Sequence, residues 1–344
     1  MNILIGLLII AIGAFCQSSS YVPINKIKDW SWESYWIVQG VFAWLVFPFL
    51  GALLAVTDGN SLFSLYSADP KATLLTIFFG MLWGVGGLTF GLSMRYLGVA
   101  LGQSLALGIC SALGVILTPV ATDLLGLSSG AVGTITGAVI AGVVVMFIGV
   151  LIIGLAGSMR AKAAAKDKKG DAEPQRFNFG KGILVALISG FMSACFAIGL
   201  GCGDKMFFEG TNDMFKQLPA VLLVTFGGFI VNAIYCFAQN SKNKTWGDYK
   251  KGKLWGHNLL FCALAGILWY SQFFGLSLGK SFLQSSPALL AFAWAILMSL
   301  DILFSNFWGI VLKEWKGCKP NIIWTLTAGL AILIFSIFLP QLIA

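Results

Sequence analysis

Charged residues are scarce in this chain of 344 residues, since Asp, Glu, Lys and Arg together make up only 10% of the sequence. Soluble domains carry about 25% charged residues. Histidine is scarcer still: His257 is the single copy, and no second metal ligand or acid stands at a useful spacing beside it. These shortages exclude a soluble enzyme and leave no acid and base pair for catalysis. We expect no enzymatic activity and interpret His257 as a helix-capping residue at the water boundary.

Metal, disulfide and phosphate motifs are also missing. The seven cysteines fall mostly inside apolar runs and form no Cys-x-x-Cys pair, so we interpret them as packing residues. The glycine-rich stretch 84–87 lies inside an apolar run with no lysine after it, unlike a phosphate-binding loop. The sequence therefore predicts no metal, no cofactor and no nucleic-acid partner.

Apolar residues, in contrast, are abundant: they make up 58% of the chain, which also holds 41 glycines and 28 phenylalanines. About 200 apolar residues are enough for ten membrane spans of roughly 20 residues each. Glycine allows close helix packing, and phenylalanine suits a lipid environment. We predict an all-α polytopic membrane protein with about ten transmembrane helices, near residues 3–22, 35–56, 73–94, 98–118, 131–156, 182–203, 218–239, 257–278, 287–311 and 321–342.

A charged stretch at residues 158–181 interrupts the apolar pattern with seven Lys and Arg residues and three acidic residues. We interpret it as a solvated linker between a first five-helix half (1–157) and a second five-helix half (182–344). Binding of anionic lipid by this stretch is the alternative.

The distribution of positive charge predicts the orientation. Eighteen of the 22 Lys and Arg residues lie in the linker and the other connections that follow odd-numbered spans. The remaining four are Lys71, Lys205, Lys216 and Lys280. Because Lys and Arg concentrate on the cytoplasmic side, the linker is predicted to be cytoplasmic and both termini periplasmic.

Short internal matches indicate a repeat. Residues 6–15 match residues 182–191 at Gly, Leu, Ile and Phe positions with a constant offset of 176. The tetrapeptide Gly-x-Leu-Trp at 80–83 recurs at 266–269, an offset of 186. Because five helices per half is an odd number, the second half must enter the membrane from the opposite face, which predicts a 5+5 inverted repeat. Such repeats are typical of alternating-access transporters.

Asp301 stands near the centre of the ninth apolar run. An unpaired charge at that depth costs at least about 2.5–3.5 kcal/mol, so such a residue is expected to face a cavity or to be neutral. We predict that Asp301 carries the coupling proton. A protonated, structural carboxyl hydrogen-bonded to a neighbouring helix is the alternative.

Neutral polar residues and two tryptophans at mid-depth form a candidate binding set. A sugar presents hydroxyl groups and a weakly apolar C–H face, which amides, hydroxyls and aromatic rings together recognise. Most membrane tryptophans lie at interfaces, so Trp83 and Trp269, at matching places in the two halves, favour a cavity lining. Plain packing and interhelical hydrogen bonds are the alternatives. The candidate sugar contacts are Trp83, Asn232, Trp269, Tyr270, Gln272 and Gln17.

Four ordered motifs resemble one known family. They are Val-Pro-Ile-Asn-Lys-Ile-Lys-Asp-Trp-Ser-Trp-Glu at 22–33, Gly-Met-Leu-Trp-Gly at 80–84 with Met-Arg-Tyr-Leu-Gly at 94–98, Leu-Trp-Tyr-Ser-Gln-Phe-Phe at 268–274, and Val-Leu-Lys-Glu-Trp at 311–315. Together they resemble the L-rhamnose proton symporter family of the drug/metabolite transporter superfamily, over almost the whole chain. The resemblance implies uptake of a 6-deoxyhexose together with a proton across the bacterial inner membrane.

Three function classes remain from the sequence. The leading hypothesis is an importer of L-rhamnose or a closely related 6-deoxyhexose, with a proton as the coupling ion and a sodium ion as the alternative. An exporter of drugs or metabolites on the same fold is the second, and a membrane sugar sensor without transport is the third. The expected partners are a small sugar and the lipid bilayer, and the oligomeric state is left open.

Overall fold

The computed structural model describes residues 2–57, 59–97, 99–167, 179–204 and 211–344. These residues form helices and contain no β-strand, apart from an isolated bridge between Val56 and Thr211. The α-helices are α1 (Asn2–Ser19), α2 (Tyr21–Ile24), α3 (Trp32–Gly40), α4 (Phe47–Leu53), α5 (Leu62–Ala68), α6 (Pro70–Leu97), α7 (Val99–Leu124), α8 (Gly137–Asp167), α9 (Phe179–Gly203), α10 (Leu218–Asn243), α11 (Gly252–Phe282), α12 (Pro287–Val311) and α13 (Pro320–Ile343). Within the described residues, 3₁₀ turns lie at Ala131–Thr134 and Thr245–Lys250.

Ten stretches of the described chain are long and apolar enough to cross a membrane. The first, Ile3–Ile24, combines α1 and α2, and the second, Trp32–Leu53, combines α3, a π-helical turn and α4. Helices α6 to α13 supply the other spans. Lipid offers no hydrogen bonds to the backbone, so an apolar run of this length folds as a helix that satisfies its own groups. The prediction of an all-α protein with ten spans is confirmed.

The second span contains a π-helical turn at Val41–Val46, between α3 and α4. Within it the backbone N–H of Phe47 donates to the carbonyl of Phe42, five residues back. Pro48 gives the physical reason, because proline has no N–H to donate and its ring crowds the carbonyl four residues earlier. That carbonyl belongs to Trp44, so the proline disturbs the helix at this residue.

The helices group into two compact units. Unit 1 comprises residues 1–84 and 198–285, and unit 2 comprises residues 85–197 and 286–344. Each unit therefore combines helices from both halves of the sequence, and the division falls inside α6 and α9. The predicted halves at 1–157 and 182–344 describe a repeat in the sequence and stay a prediction.

In unit 1, α1 packs against α11 through facing glycines. A methyl group built on Gly13 would lie 2.8 Å from the carbonyl oxygen of Ser271, and one on Gly279 would lie 2.8 Å from that of Gly6. Backbones that approach this closely leave no space for a side chain, which is the usual role of small residues between membrane helices.

In unit 2, α8 packs against α13 in the same way. A methyl group on Gly149 would lie 3.1 Å from the carbonyl oxygen of Gly329, and one on Gly329 would lie 2.9 Å from the backbone nitrogen of Ile153. Glycine therefore sets the spacing between the paired helices in both units.

The predicted linker at 158–181 begins as helix, since α8 continues to Asp167. Its last residues belong to α9, which begins at Phe179. Residues 168–178 lie outside the described residues.

Candidate functional site

Four tryptophans of unit 1 bring their indole rings together. Trp83 of α6 and Trp269 of α11 have ring centroids 5.9 Å apart and planes inclined by 31°. Trp44 meets these two rings edge-on, at 6.0 Å and 6.1 Å, and it meets Trp36 in the same way at 5.7 Å. We call these four residues the indole cluster. The two tryptophans predicted from the sequence thus lie at one place, with Trp44 at its centre.

Trp36 and Trp44 were not among the residues predicted from the sequence. Trp44 belongs to the π-helical turn and is only 3% exposed. Pro48, four residues further on, is the sequence signal that indicates a disturbed helix at this place. π-Helical turns occur frequently at functional sites, so the signal points in the same direction as the cluster itself.

Two glycines leave room for these rings. A methyl group on Gly40 would lie 2.6 Å from the six-membered ring of Trp44, and one on Gly228 would lie 2.2 Å from that of Trp83. Both distances are too short for a real carbon contact. The rings of Trp44 and Trp83 therefore pack directly on helix backbone.

Asn232 of α10 contacts the cluster through hydrogen bonds. Its Oδ1 accepts from the indole N–H of Trp36 at 3.0 Å, and its Nδ2 donates to the carbonyl of Gly228 at 2.9 Å. The side chain is 3% exposed. The structure thus places this predicted residue in the cluster, where it orients Trp36.

Tyr270 and Gln272 follow Trp269 on α11 and are both buried. The hydroxyl of Tyr270 lies against Gly51 of α4, where a methyl group would come within 1.8 Å of the oxygen. The Nε2 of Gln272 donates to the carbonyl of Trp269 at 2.9 Å. Both residues lie close to Trp269 along the helix, and their contact with a ligand stays a prediction.

Gln17 of α1 is half-buried. Its Oε1 accepts a 3.4 Å hydrogen bond from the hydroxyl of Ser18. It lies one helical turn beyond Gly13, whose backbone packs on Ser271 and Gln272. Gln17 thus belongs to the helix that supports α11, and its contact with a ligand stays a prediction.

Asp301 of α12 is 7% exposed and belongs to unit 2. Ser299, two residues earlier, is 1% exposed, and the Nδ2 of Asn306 donates to the carbonyl of Ile302 at 2.8 Å. The predicted proton carrier is therefore buried within a membrane span, and its role stays a prediction. The indole cluster and Asp301 belong to different compact units.

The Trp-Ser-Trp-Glu motif joins two loops of unit 1. Glu33 is 5% exposed, and its Oε1 accepts hydrogen bonds from Asn243 at 3.0 Å and from Thr245 at 2.8 Å. Ser31 donates to Asp248 from its backbone nitrogen at 2.8 Å and from its hydroxyl at 2.7 Å. We call Ser31, Glu33, Thr245 and Asp248 the loop network. It fixes the segment before α3 to the connection between α10 and α11.

Asp248 has an unusually stable negative charge. Burial works to raise the pKa of its carboxyl, but the hydrogen bonds from Lys251 and Ser31 outweigh burial and hold the pKa at about 2, below the ordinary 3.8. The Nζ of Lys251 lies 2.7 Å from the carboxylate. The loop network is therefore built around an ionised group.

The Leu-Lys-Glu-Trp motif forms a second ionic contact, in unit 2. Arg160 at the end of α8 lies 3.0 Å from Glu314 and also 4.8 Å from the centroid of the Trp315 ring. The guanidinium is held by a carboxylate and by an aromatic face at the same time. This contact joins the start of the predicted linker to the connection between α12 and α13.

His257 lies in the first turns of α11, where its Nε2 is 2.8 Å from the carbonyl oxygen of Lys26. It contacts a loop rather than a catalytic partner. Across the described residues no group of three or more His, Cys, Asp and Glu side chains could hold a metal ion.

The indole cluster has the chemistry of a site for a neutral, hydroxyl-rich solute. Indole faces can contact apolar C–H groups, and the neighbouring amides and hydroxyl can bond to polar groups. No lysine, arginine or carboxylate is among the cluster residues and their neighbours described above, so a charged solute has no counter-ion in this set.

Comparison with known proteins gives matches over almost the whole chain. A family model for the L-rhamnose-proton symport protein (RhaT) matches residues 1–342. An L-rhamnose-proton symporter of Yersinia pestis (strain Pestoides F) is 31% identical over 344 residues, which cover 97% of this chain and 96% of the relative. An L-rhamnose-proton symporter of Shigella sonnei (strain Ss046) is 32% identical over 335 residues, which cover 94% of this chain and 93% of the relative.

Proposed function

The chain belongs to the L-rhamnose-proton symport protein family, and from this membership we propose that it imports L-rhamnose or a closely related 6-deoxyhexose together with a proton. The observation that carries the proposal is the match to the family model over residues 1–342. The membrane is the bacterial inner membrane, which the ten spans cross. The family is one of transporters, so enzymatic activity is not expected.

The sugar site is placed at the indole cluster of unit 1. Two supports are independent of the family match. The rings of Trp83 and Trp269 lie 5.9 Å apart, close enough for one ligand to contact both. Buried polar side chains from α10 and α11, namely Asn232, Tyr270 and Gln272, lie on or beside the cluster. Gln17 is retained as a further contact because α1 packs on the same part of α11.

The proton is carried by Asp301. A carboxyl within a membrane span is a candidate functional group, because burying it in the charged form is costly. Asp301 is 7% exposed and lies in the span Pro287–Val311. No cofactor takes part, since the proton itself is the coupling ion.

A 5+5 inverted repeat is supported by matching contacts in the two units. A methyl group on Gly6 would touch Phe282 and Leu283, and one on Gly182 would touch Tyr96 and Leu97. The two contacts are related by the offsets read from the sequence. The glycines are 176 positions apart, and the residues that they contact, Tyr96 and Leu97 in one unit and Phe282 and Leu283 in the other, are 186 positions apart.

A second pair of contacts obeys the same two offsets. In unit 1, Gly13 packs against Gln272. The equivalent residues in unit 2 are Ser189 and Gly86, where the serine hydroxyl donates to the glycine carbonyl at 3.1 Å. Repeats of opposite orientation give alternating access, and this architecture supports placing the chain in the drug/metabolite transporter superfamily.

Both termini are placed in the periplasm and the charged linker in the cytoplasm, because eighteen of the 22 Lys and Arg residues lie on the linker side. Fusions at the C-terminus test this. Alkaline phosphatase fused there is expected to be active, and a fluorescent protein that folds only in the cytoplasm is expected to be dark. The reverse pattern would overturn the orientation.

The transport proposal is tested by uptake of radiolabelled L-rhamnose into liposomes that hold the purified protein. Uptake is expected to rise when an inward proton gradient is imposed. Unlabelled L-mannose, L-lyxose or L-fucose is expected to lower it, and the relative strength of their competition identifies the preferred sugar. Flux of drugs or metabolites without rhamnose flux would favour an exporter. Binding of L-rhamnose without any flux would favour a sensor.

A further inference from the structure

In the second span and in α11, three buried polar atoms have no hydrogen-bond partner among the described residues. They are the Oε1 of Gln39, the Nε1 of Trp44 and the hydroxyl of Tyr270. These residues are 3%, 3% and 5% exposed. Native proteins satisfy nearly all of their buried polar groups, so each exception requires an explanation. Trp30 Nε1 shares this property, but Trp30 packs on Tyr249 and Trp255 beside the loop network.

Two of the three atoms lie on the second span, and the third, on α11, packs against that span. Gln39 and Trp44 lie on α3 and the π-helical turn, and the ring of Trp44 packs on Gly40, the residue next to Gln39. The hydroxyl of Tyr270 packs on Gly51 of the same span. Tyr270 also follows Trp269, whose ring lies 6.1 Å from that of Trp44. The unsatisfied atoms therefore belong to the second span and to α11, the two elements that bring Trp44 and Trp269 into the indole cluster.

Their chemistry suits a ligand that both donates and accepts hydrogen bonds. The amide oxygen of Gln39 accepts, the indole N–H of Trp44 donates, and the hydroxyl of Tyr270 can do both. Sugar hydroxyl groups have the same double capacity. A charged ligand is not favoured, because the set holds no ionised side chain.

The two buried amides predicted from the sequence are already engaged. Asn232 bonds to Trp36 and to the backbone of Gly228, and Gln272 bonds to the backbone of Trp269. Their hydrogen bonds orient the cluster and leave less capacity for a ligand.

We propose that Gln39, Trp44 and Tyr270 make the direct hydrogen bonds to the sugar hydroxyl groups, with Asn232 and Gln272 as positioning residues. This assignment rests on the proposed function, since it names the ligand contacts of the same site. It also gives the π-helical turn a consequence for binding, since the turn holds Trp44, whose ring contacts Trp36, Trp83 and Trp269.

Tyr270→Phe is the sharpest test, because it removes an unsatisfied hydroxyl and keeps the ring. Without sugar, the variant is expected to unfold at the wild-type temperature or higher, since no hydrogen bond is lost. Its dissociation constant for labelled L-rhamnose, measured by equilibrium binding in nanodiscs, is expected to rise about tenfold, the effect of one lost hydrogen bond to a ligand.

Tyr66→Phe is the matched control. The hydroxyl of Tyr66 is satisfied, since it donates to the carbonyl of Pro219 at 3.1 Å. Its removal is expected to lower the unfolding temperature and to leave the dissociation constant for L-rhamnose unchanged. The proposal thus predicts weaker binding without loss of stability for Tyr270→Phe, and lower stability at unchanged binding for Tyr66→Phe.

Trp44→Phe and Gln39→Leu extend the test to the other two atoms. Each is expected to weaken L-rhamnose binding about tenfold without loss of apo stability, and to bind at least one deoxy analogue of L-rhamnose as tightly as it binds L-rhamnose. If wild type binds L-rhamnose and all three variants bind it equally well, the assignment is wrong and the proposed function stands. If wild type neither binds nor transports L-rhamnose, both are wrong.

Discussion

The indole rings of Trp83 and Trp269 lie 5.9 Å apart, although 186 positions separate them in the chain. They occupy the same place in the Gly-x-Leu-Trp tetrapeptides at 80–83 and 266–269. One ring from each half of the sequence therefore contributes to the same cluster. Substrate sites of transporters with internal repeats typically lie where the repeats meet, so the proposed 5+5 repeat and the proposed sugar site agree with each other.

Replacement of Trp269 by Ala is expected to weaken the apparent affinity for L-rhamnose by about tenfold or more, because the sugar loses an aromatic face worth ~1.4 kcal/mol. The measurement is the concentration of L-rhamnose that gives half-maximal uptake in liposomes. Trp324→Ala serves as the control, since Trp324 is 72% exposed on α13. An unchanged affinity in the Trp269 variant would show that Trp269 packs in the protein and does not contact the sugar.

Replacement of Asp301 by Asn is expected to abolish accumulation of L-rhamnose driven by a proton gradient, because the amide cannot carry the proton. Exchange of L-rhamnose between two filled compartments is expected to remain, since it needs no net proton movement. The two assays on the same liposomes separate coupling from sugar binding.

Asp69→Asn is the matched control for Asp301. The carboxylate of Asp69 accepts a hydrogen bond from the backbone of Ala72 at 2.9 Å at the start of α6, and asparagine caps a helix equally well. Normal accumulation is expected in this variant. Normal accumulation in the Asp301 variant as well would remove Asp301 from the coupling mechanism.

Replacement of Gly40 by Ala is expected to displace Trp44, because the new methyl group would lie 2.6 Å from its ring. Overpacking of this kind costs about 1–3 kcal/mol. We expect a lower unfolding temperature and weaker L-rhamnose binding. Gly87→Ala, where nothing lies within 4 Å of the added methyl group, is expected to leave L-rhamnose binding unchanged and not to lower the unfolding temperature, since alanine favours a helix more than glycine does. Equal behaviour of the two variants would contradict the packing described for Trp44.

Replacement of Asp248 by Asn is expected to destabilise the folded protein by about 1–3 kcal/mol at neutral pH, because the hydrogen-bonded ion pair with Lys251 is lost. The pKa of Asp248 is about 2 in the folded state against an ordinary 3.8, so its charge stabilises the fold above about pH 4.

This stabilisation is lost as the pH falls through the range between those two values, since the carboxyl then becomes protonated. The difference in unfolding temperature between wild type and Asp248→Asn is therefore expected to be large at pH 7 and to shrink toward pH 2. A difference independent of pH would show that the charge of Asp248 does not stabilise the loop network.

Much of the fold could be predicted from the sequence, because the membrane imposes simple constraints. Each apolar run of about 20 residues has to become a helix, and all ten runs do. The 5+5 repeat stays a proposal, which rests on matching glycines and tryptophans, where close packing and ring contacts limit the choice of residue.

Other features could not be predicted because they depend on contacts between distant segments. Which helices combine into compact units is set by packing surfaces, and each unit mixes both sequence halves. Pro48 indicates a disturbed helix near Trp44, but the contacts of the Trp44 ring with Trp83 and Trp269 depend on helices far away in the sequence. The bonds of Asn232 to Trp36 and of Ser31 to Asp248 join residues about 200 positions apart.

Proton movement coupled to sugar tests the central claim most directly. Liposomes that hold the purified protein and a pH-sensitive dye are mixed with external L-rhamnose, with no pH gradient imposed and with potassium and valinomycin holding the voltage at zero. Symport predicts that the lumen acidifies as L-rhamnose enters, and that protein-free liposomes show no change. Entry of L-rhamnose without acidification of the lumen would contradict the account.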